Sequence, residues 1–155
     1  MRIHLIAVGT QMPPWVEAAC EEYRKRMPRH CALCLRSVSA ARRTKGADLK
    51  RAREQEGERL LAAVPGDCHL IALERGGRVR DSVQLASLIR ELMREGRDLA
   101  FLIGGPEGLA PACLARARET WSLSAFTLAH PVARVVLAEQ LYRAWSIIDG
   151  LPYHR

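Results

Sequence analysis

The sequence has no long hydrophobic run, few aromatic residues and only three lysines. No apolar stretch approaches the roughly 20 residues that a transmembrane helix needs. Residues 1–9 contain an apolar run too short for a secretory signal, and no cleavage site of small residues follows it. Aromatic residues make up 5% of the chain, so a stacking platform for single-stranded nucleic acid is not evident. These absences argue against a membrane-spanning or secreted protein, and we expect a cytoplasmic one.

The chain contains enough apolar material for one well-packed domain. Its 155 residues are 48% hydrophobic, and neither a linker nor an internal repeat divides them. We therefore expect a single domain that covers residues 1–155. The charge is unbalanced, because 24 basic and 17 acidic residues give a net charge of +7 and a pI of about 9.6.

The five cysteines predict free thiols instead of a disulfide framework or a metal site. Their number is odd and their spacing irregular. Cys31 and Cys34 form a C-x-x-C pattern, but residues 31–38 have the composition of a strand, where side chains three positions apart point to opposite faces. The sequence has no second ligand pair and no H-x-x-x-H motif, so we predict no metal.

Apolar runs alternate with amphipathic stretches along the whole chain. Strands are predicted over residues 3–8, 31–38, 69–73, 98–103 and, as a strand or extended loop, 121–128. Helices are predicted over residues 13–27, 48–64, 81–95, 111–119 and 131–149, with a turn over 74–77 and a tail from 151. This order predicts an α/β fold whose mainly parallel sheet is covered by helices on both faces. Ligands bind at the carboxyl ends of such strands, here after Leu73, after Ile103 and around 123–130.

The sequence Gly-Gly-Pro-Glu-Gly at 104–108 directly follows a predicted buried strand. Glycines at such a place let the backbone approach a ligand closely, but a tight strand-to-helix turn explains them equally well. No Lys-Ser/Thr pair follows, so the run is not a Walker loop and does not indicate a nucleoside triphosphate.

Basic residues cluster between Arg24 and Arg53, where eleven basic residues accompany one acidic residue. Such a cluster is typical of a surface that binds a polyphosphate, most often RNA or DNA. The alternative is a basic face that only contacts solvent.

The last predicted helix, 131–149, is apolar nearly all round. A helix of this kind is buried on more than one side. We expect its own sheet to cover one side and a second subunit to cover the other. Glu139 and Arg143 have the i,i+4 spacing of a surface ion pair, which in this setting could also cross the interface.

Six segments of the chain together form a specific pattern that covers nearly its whole length. They are AVGTQMPPW (7–15), EQEGE (54–58), LIGGPEG (102–108), WSLS (121–124), RVVLAEQLYRA (134–144) and PYHR (152–155). Through them the chain resembles the small SPOUT-class methyltransferases that modify the N3 atom of a pseudouridine in 23S ribosomal RNA. Ala129 departs from the pattern, since relatives often have proline before the histidine, and Ala110 stands where a serine cap is usual.

The resemblance implies a C-terminal deep trefoil knot, a homodimer with active sites composed from both subunits, and the cofactor S-adenosylmethionine. The positions it implies for cofactor binding are Leu73, Gly104, Leu123, Ser124, Ala125, Phe126, Thr127 and Leu128. Those expected at the catalytic, RNA-facing side are Tyr153, His154 and Arg155. His130, at the predicted junction between the fifth strand and the last helix, is a further catalytic candidate. RNA contacts are expected at Arg42, Arg43, Lys45, Lys50, Arg134 and Arg143. The positive field of Arg134, Arg143 and Arg155 is also expected to favour loss of the proton from the acceptor nitrogen.

Two other functions are compatible with the same sequence. One is methylation of a different RNA by the same fold, for instance at a ribose 2′-hydroxyl of tRNA. The other is a ribosome-binding factor without enzymatic activity. By resemblance, we expect the assembled ribosome to be the substrate, because so small a domain has little surface for independent RNA recognition.

Overall fold

The computed structural model describes every residue from Met1 to Arg155. Its strands are β1 (Arg2–Val8), β2 (Ala32–Val38), β3 (His69–Val79), β4 (Leu99–Ile103) and β5 (Glu119–Ser122). Its helices are α1 (Pro14–Arg26), α2 (Leu49–Ala63), α3 (Ser82–Glu95), α4 (Pro111–Arg116) and α5 (His130–Asp149). Short 3₁₀ turns lie at Arg29–Cys31 and Pro152–His154.

The five strands form one sheet in the order β2-β1-β4-β3-β5, and every neighbouring pair is parallel. Side chains alternate between the faces, as the pleat of a strand requires. On β1, Ile3, Leu5 and Ala7 belong to one core cluster, whereas Ile6 and Val8 belong to the other. The predicted parallel α/β sheet is confirmed.

Helices cover both faces of the sheet. Residues of α1, α3 and α5 pack in the larger cluster, and residues of α2 and α4 pack in the smaller one. None of the helices combines the length and the apolar composition that a membrane span requires.

Local signals place several helix boundaries correctly. The Asp48 carboxylate accepts a hydrogen bond from the Arg51 backbone N–H at 3.2 Å, which caps α2. Asp81 and Gln84 form a reciprocal capping box at the start of α3. At the other end of α3, Gly96 adopts a left-handed conformation (φ 68°) that glycine tolerates best.

The predicted turn over residues 74–77 is wrong, because β3 continues through it to Val79. Its pairing with β5 is interrupted by an irregularity between Leu73 and Arg78. Gly77 lies so close to β5 that a Cβ atom there would be 2.5 Å from the Trp121 carbonyl carbon. The absence of a side chain at Gly77 therefore allows β3 to pack closely against β5. The segment predicted as a strand or extended loop over 121–128 is a strand only to Ser122 and a loop beyond it. The strand begins at Glu119, because the helix predicted over 111–119 already ends at Arg116.

Helix α5 buries one side within its own chain, against α1, α3, β1 and β4. Leu141 and Trp145 are 0% and 5% exposed there, so a charge at either position would test the core and not a subunit interface. The apolar side chains of Val132, Val135 and Val136 are only half-buried. With them, α5 keeps apolar surface that its own chain does not fully cover.

Candidate active site

A cavity of about 450 Å³ lies where β4 and β5 end, beside the middle of β3 and the first turn of α5. Its floor is largely apolar, and backbone from glycine-rich and extended loops forms much of its wall. The lining residues are Leu73, Glu74, Arg75, Ile103, Gly104, Gly105, Pro106, Gly108, Ser122, Leu123, Ser124, Phe126, Thr127, Leu128, Ala129, His130 and Ala133. This is the edge of the sheet at which α/β folds bind ligands.

The cavity brings together seven of the eight positions expected to bind the cofactor. Leu73, Gly104 and most of the segment 123–128 line it, whereas Ala125 is exposed and does not. Glu74 and Arg75 also line the cavity, although the sequence pattern predicted only a turn there. Their position directly after the apolar run that ends at Leu73 was the available signal.

The loop Gly104–Gly108 folds back on itself at the end of β4. The Gly108 N–H donates a hydrogen bond to the Gly105 carbonyl at 2.9 Å. A Cβ atom on Gly104 would lie 2.5 Å from the Gly108 carbonyl carbon and 2.9 Å from the Leu109 nitrogen. Glycine is thus required at 104 because the loop backbone returns past it, and not only to leave room for a ligand.

The segment between β5 and α5 is held by short-range hydrogen bonds. The Ser122 hydroxyl donates to the Ser124 carbonyl, and the Ser124 hydroxyl accepts from the Phe126 N–H, both at 2.9 Å. Phe126 is 83% exposed although it belongs to the cavity lining. The cavity therefore has one ordered wall that ends in a solvent-exposed aromatic ring.

His130 begins α5 and lines the same cavity. Burial and the positive charge of Arg134 lower the pKa of its imidazole, so the ring is neutral at pH 7. Its Nδ1 atom is buried and has no hydrogen-bond partner within the chain. A neutral imidazole has one unprotonated ring nitrogen, so His130 is a candidate proton acceptor beside the cavity, although burial makes it a weaker base than an exposed histidine.

Arg134 does not fit the expected contact with RNA, because it is only 6% exposed. Its guanidinium donates to the carbonyls of Val8 and Gly9, both at 2.7 Å, and to the Ser37 hydroxyl at 2.9 Å. These bonds attach α5 to the ends of β1 and β2. Arg134 thus stabilises the fold, and burial lowers its pKa.

Arg43 also differs from the expectation, because two carboxylates occupy its guanidinium. It forms ion pairs with Glu56 on α2 and with Glu107 in the glycine-rich loop. These bonds raise the pKa of Arg43, and the bond from Arg43 lowers the pKa of the Glu107 carboxyl. Arg42, Lys45 and Lys50 are exposed, so these three remain available to phosphates.

The C-terminal residues do not line the cavity of their own chain. The Tyr153 hydroxyl donates to a Glu139 carboxylate oxygen at 3.1 Å, and its ring lies 4.7 Å from that of Tyr142. Arg143, paired with Glu139 at 2.9 Å, lies over the Tyr153 ring. Tyr153 therefore packs on the middle of α5. His154 and Arg155 are exposed.

The contacts of Tyr153 lie nine to thirteen positions along α5 from His130. At a rise of 1.5 Å per residue this separation is about 14 to 20 Å. The structure thus brings His130 to the cavity and leaves Tyr153 far from it within one chain. No group of three or more His, Cys, Asp or Glu side chains is arranged to hold a metal ion.

Comparison with known proteins identifies relatives over the whole chain. The model of the family described as "Predicted SPOUT methyltransferase" matches residues 1–154. The Ribosomal RNA large subunit methyltransferase H of Thioalkalivibrio sulfidiphilus is 54% identical over 155 residues, 100% of this chain and 99% of the relative. Its namesake from Methylococcus capsulatus is 48% identical over 155 residues, 100% of both chains.

Solved structures share the fold at much lower identity. A probable methyltransferase from Bordetella pertussis Tohama I has a TM-score of 0.57 at 20% identity, covering 92% of this chain and 95% of that one. TrmJ from Z. mobilis ZM4 has a TM-score of 0.51 at 16% identity, covering 91% of this chain and 69% of that one. At these identities the likeness concerns the fold alone.

Proposed function

The chain belongs to the SPOUT methyltransferase family, and on that premise we propose that it transfers the methyl group of S-adenosylmethionine to N3 of a pseudouridine in 23S ribosomal RNA. The family and its named relatives support the coarser description, an RNA methyltransferase. The observation that carries the proposal is the cavity, because seven positions expected to bind the cofactor line one continuous space. We propose the assembled ribosome in the cytoplasm as the substrate.

The lining fits S-adenosylmethionine. A volume of about 450 Å³ lies within the range of roughly 300–1,000 Å³ usual for small-molecule sites. Leu73, Ile103 and Leu128 supply apolar surface, and Gly104 and Gly105 add loop residues to the cavity wall. When bound, the cofactor supplies an electrophilic methyl group.

In this proposal the protein orients the acceptor nitrogen, N3 of the pseudouridine, and favours loss of the proton on that nitrogen. Methyl transfer by in-line displacement depends on a near-attack geometry, so positioning contributes most. His130 lines the cavity, and its lowered pKa favours the neutral imidazole, which has one ring nitrogen without a proton. We propose His130 as the proton acceptor. Arg134, whose guanidinium donates to backbone carbonyls, has a structural role.

We propose that the active form is a homodimer in which the tail of one subunit completes the cavity of the other. The support is the separation between Tyr153 and His130 along α5, together with the half-buried valines of that helix. His154 and Arg155, exposed in one chain, are then free to face RNA at the partner's site. The family further implies a trefoil knot, which we propose for the C-terminal part of the chain.

A methyl-transfer assay tests the proposed function. We expect the labelled methyl group to appear on whole ribosomes that contain the pseudouridine, and not on ribosomes with uridine at that position. Naked RNA and isolated large subunits serve as comparison substrates, and mass mapping of the product locates the methyl group. A methyl group on tRNA ribose would favour the first alternative. Absence of S-adenosylmethionine binding in calorimetry would favour a factor without enzymatic activity.

Reversing charge at Arg42 and Lys45 together, to Glu, is expected to weaken ribosome binding at least tenfold. The salt dependence of binding should also flatten, because fewer counterions are released from phosphates. Cofactor affinity should stay within about twofold, since neither residue lines the cavity. The matched control is the pair Arg90→Glu and Arg94→Glu on α3, exposed arginines outside the basic cluster. An equal effect from the control pair would mean that Arg42 and Lys45 belong to a basic face that only contacts solvent.

A further inference from the structure

The Arg43 guanidinium joins three parts of the chain next to the cavity. It belongs to the basic loop, residues 39–48, which connects β2 with α2. Its Nη1 and Nη2 donate to the two carboxylate oxygens of Glu56 at 2.8 and 2.9 Å. Its Nε donates to Glu107 at 2.9 Å, and Nη2 also contacts the same oxygen. One side chain thus connects the basic loop, α2 and the loop Gly104–Gly108.

Glu56 gives this connection its rigidity. The residue is 1% exposed, and its carboxylate also accepts a hydrogen bond from the Ala41 N–H at 3.0 Å. A buried carboxylate is tolerated when its charge is paired and its oxygens accept hydrogen bonds. Arg43 supplies that pairing in a two-pronged geometry that lysine does not reproduce. The two hydrogen bonds to Glu56 therefore fix the position of the Arg43 guanidinium even without the contact to Glu107.

The glycine-rich loop rests on this ion pair. A Cβ atom on Gly105 would lie 3.1 Å from a Glu56 carboxylate oxygen and 3.5 Å from Arg43 Nη2. Four of the five loop residues line the cavity, but Glu107 does not, since its side chain extends to Arg43 instead. The loop therefore has one side toward the cofactor cavity and one side held by the basic loop.

We infer that Arg43 is a positioning residue that couples cofactor binding to RNA binding. It holds the loop Gly104–Gly108 in the shape that forms the cavity wall, and it belongs to the same loop as Arg42 and Lys45. Cofactor in the cavity and phosphate on the basic loop then stabilise a single arrangement of both loops. By linkage, each ligand raises affinity for the other by the same factor. This inference rests on the proposed function for the identity of the two ligands.

The first test needs neither ligand. Hydrogen exchange of the backbone amides of residues 104–109, except Pro106, is compared in the native chain, Arg43→Gln and Glu107→Gln. We expect exchange at least tenfold faster in Arg43→Gln and severalfold faster in Glu107→Gln, which keeps the pair between Arg43 and Glu56. The matched control is Arg59→Gln, because Arg59 also ties α2 to the basic loop, by a 2.9 Å bond to the Ser39 carbonyl, without reaching Glu107. Equal acceleration by the control would overturn the inference.

The second test measures the coupling itself by calorimetry with S-adenosylmethionine and by ribosome binding. We expect Arg43→Gln to weaken cofactor binding at least tenfold, Arg43→Lys to recover part of it, and the double variant Arg43→Gln/Glu107→Gln to be no weaker than Arg43→Gln alone. Saturating cofactor should tighten ribosome binding about fivefold in the native chain and less than twofold in Arg43→Gln.

An unchanged coupling factor in Arg43→Gln would overturn the inference, since a purely structural residue would lower stability without removing the coupling. Failure of the native chain to bind S-adenosylmethionine would instead overturn the proposed function. The hydrogen-exchange comparison distinguishes these failures, because it tests the hold of Arg43 on the glycine-rich loop in the absence of both ligands.

Discussion

Replacing Gly104 with valine is expected to weaken the binding of S-adenosylmethionine about a hundredfold or more, a loss of about 2.7 kcal/mol or more. The loop backbone returns so close to Gly104 that a Cβ atom would lie 2.5 Å from the Gly108 carbonyl carbon and 2.7 Å from its oxygen. Both atoms belong to the backbone, so the loop itself has to move. A branched side chain adds to the displacement and restricts the conformation of residue 104 further. The cavity wall is lost as a consequence. Calorimetry with the cofactor measures the effect.

Gly76→Ala is the matched control for this variant. Gly76 lies in β3 next to the cavity-lining Arg75, and the nearest atom to a Cβ there is a Glu74 carboxylate oxygen at an ordinary 3.5 Å. We expect its cofactor affinity to stay within about threefold of the native value. Circular dichroism and ultracentrifugation should show that Gly104→Val keeps its fold and its oligomeric state. If Gly104→Val binds the cofactor with native affinity, the loop Gly104–Gly108 does not form part of the cofactor site.

Deletion of residues 154 and 155 is expected to reduce methyl transfer about a thousandfold or more, equivalent to about 4 kcal/mol of barrier. His154 and Arg155 are exposed and form no side-chain hydrogen bond or ion pair, so their loss should leave the melting temperature within about 1 °C. An imidazole beside a guanidinium fork is suited to face RNA. Cofactor affinity should also persist, because neither residue lines the cavity. Single-turnover kinetics with saturating ribosomes measures the transfer step.

Tyr153 has to be treated separately from these two residues. Its hydroxyl donates to Glu139, and its ring packs on Tyr142 and lies beneath Arg143, so removing it also disturbs the surface of α5. Tyr153→Phe keeps the ring and removes the hydroxyl, which separates the two contributions. A transfer rate within about threefold of the native value after deletion of 154 and 155 would show that His154 and Arg155 do not contribute to methyl transfer.

Single variants assign the two roles within the tail. Arg155→Ala is expected to act mainly on RNA affinity, because its guanidinium is a phosphate donor. His154→Ala is expected to act mainly on turnover at saturating ribosome concentration. Equal effects of both variants on both quantities would mean that the tail acts as one unit.

The sequence was sufficient for the elements and for the edge of the sheet where the cavity lies. Short apolar runs predicted five strands, and Asp48, Asp81 and Gly96 marked helix ends, because these signals act between residues a few positions apart. The alternation of strands and helices then implied a parallel sheet with a site at its carboxyl edge. The glycines at 76 and 77 wrongly predicted a turn. Gly77 lies within β3 instead, and its lack of a side chain allows β3 to pack against β5.

Which basic residues are exposed and which form contacts inside the protein could not be predicted from these local signals. Arg42 and Arg43 are neighbours in one basic cluster, yet Arg42 is exposed while Arg43 meets Glu56 and Glu107, 13 and 64 residues away. Arg134 is bonded to carbonyls more than 120 residues distant, so a helix position that resembled an RNA contact became part of the core. Pairings of this kind arise only when β1, β4, α2 and α5 pack together. An arginine's role is decided by which oxygens the packed chain brings within reach, and a linear pattern of charge does not contain that information.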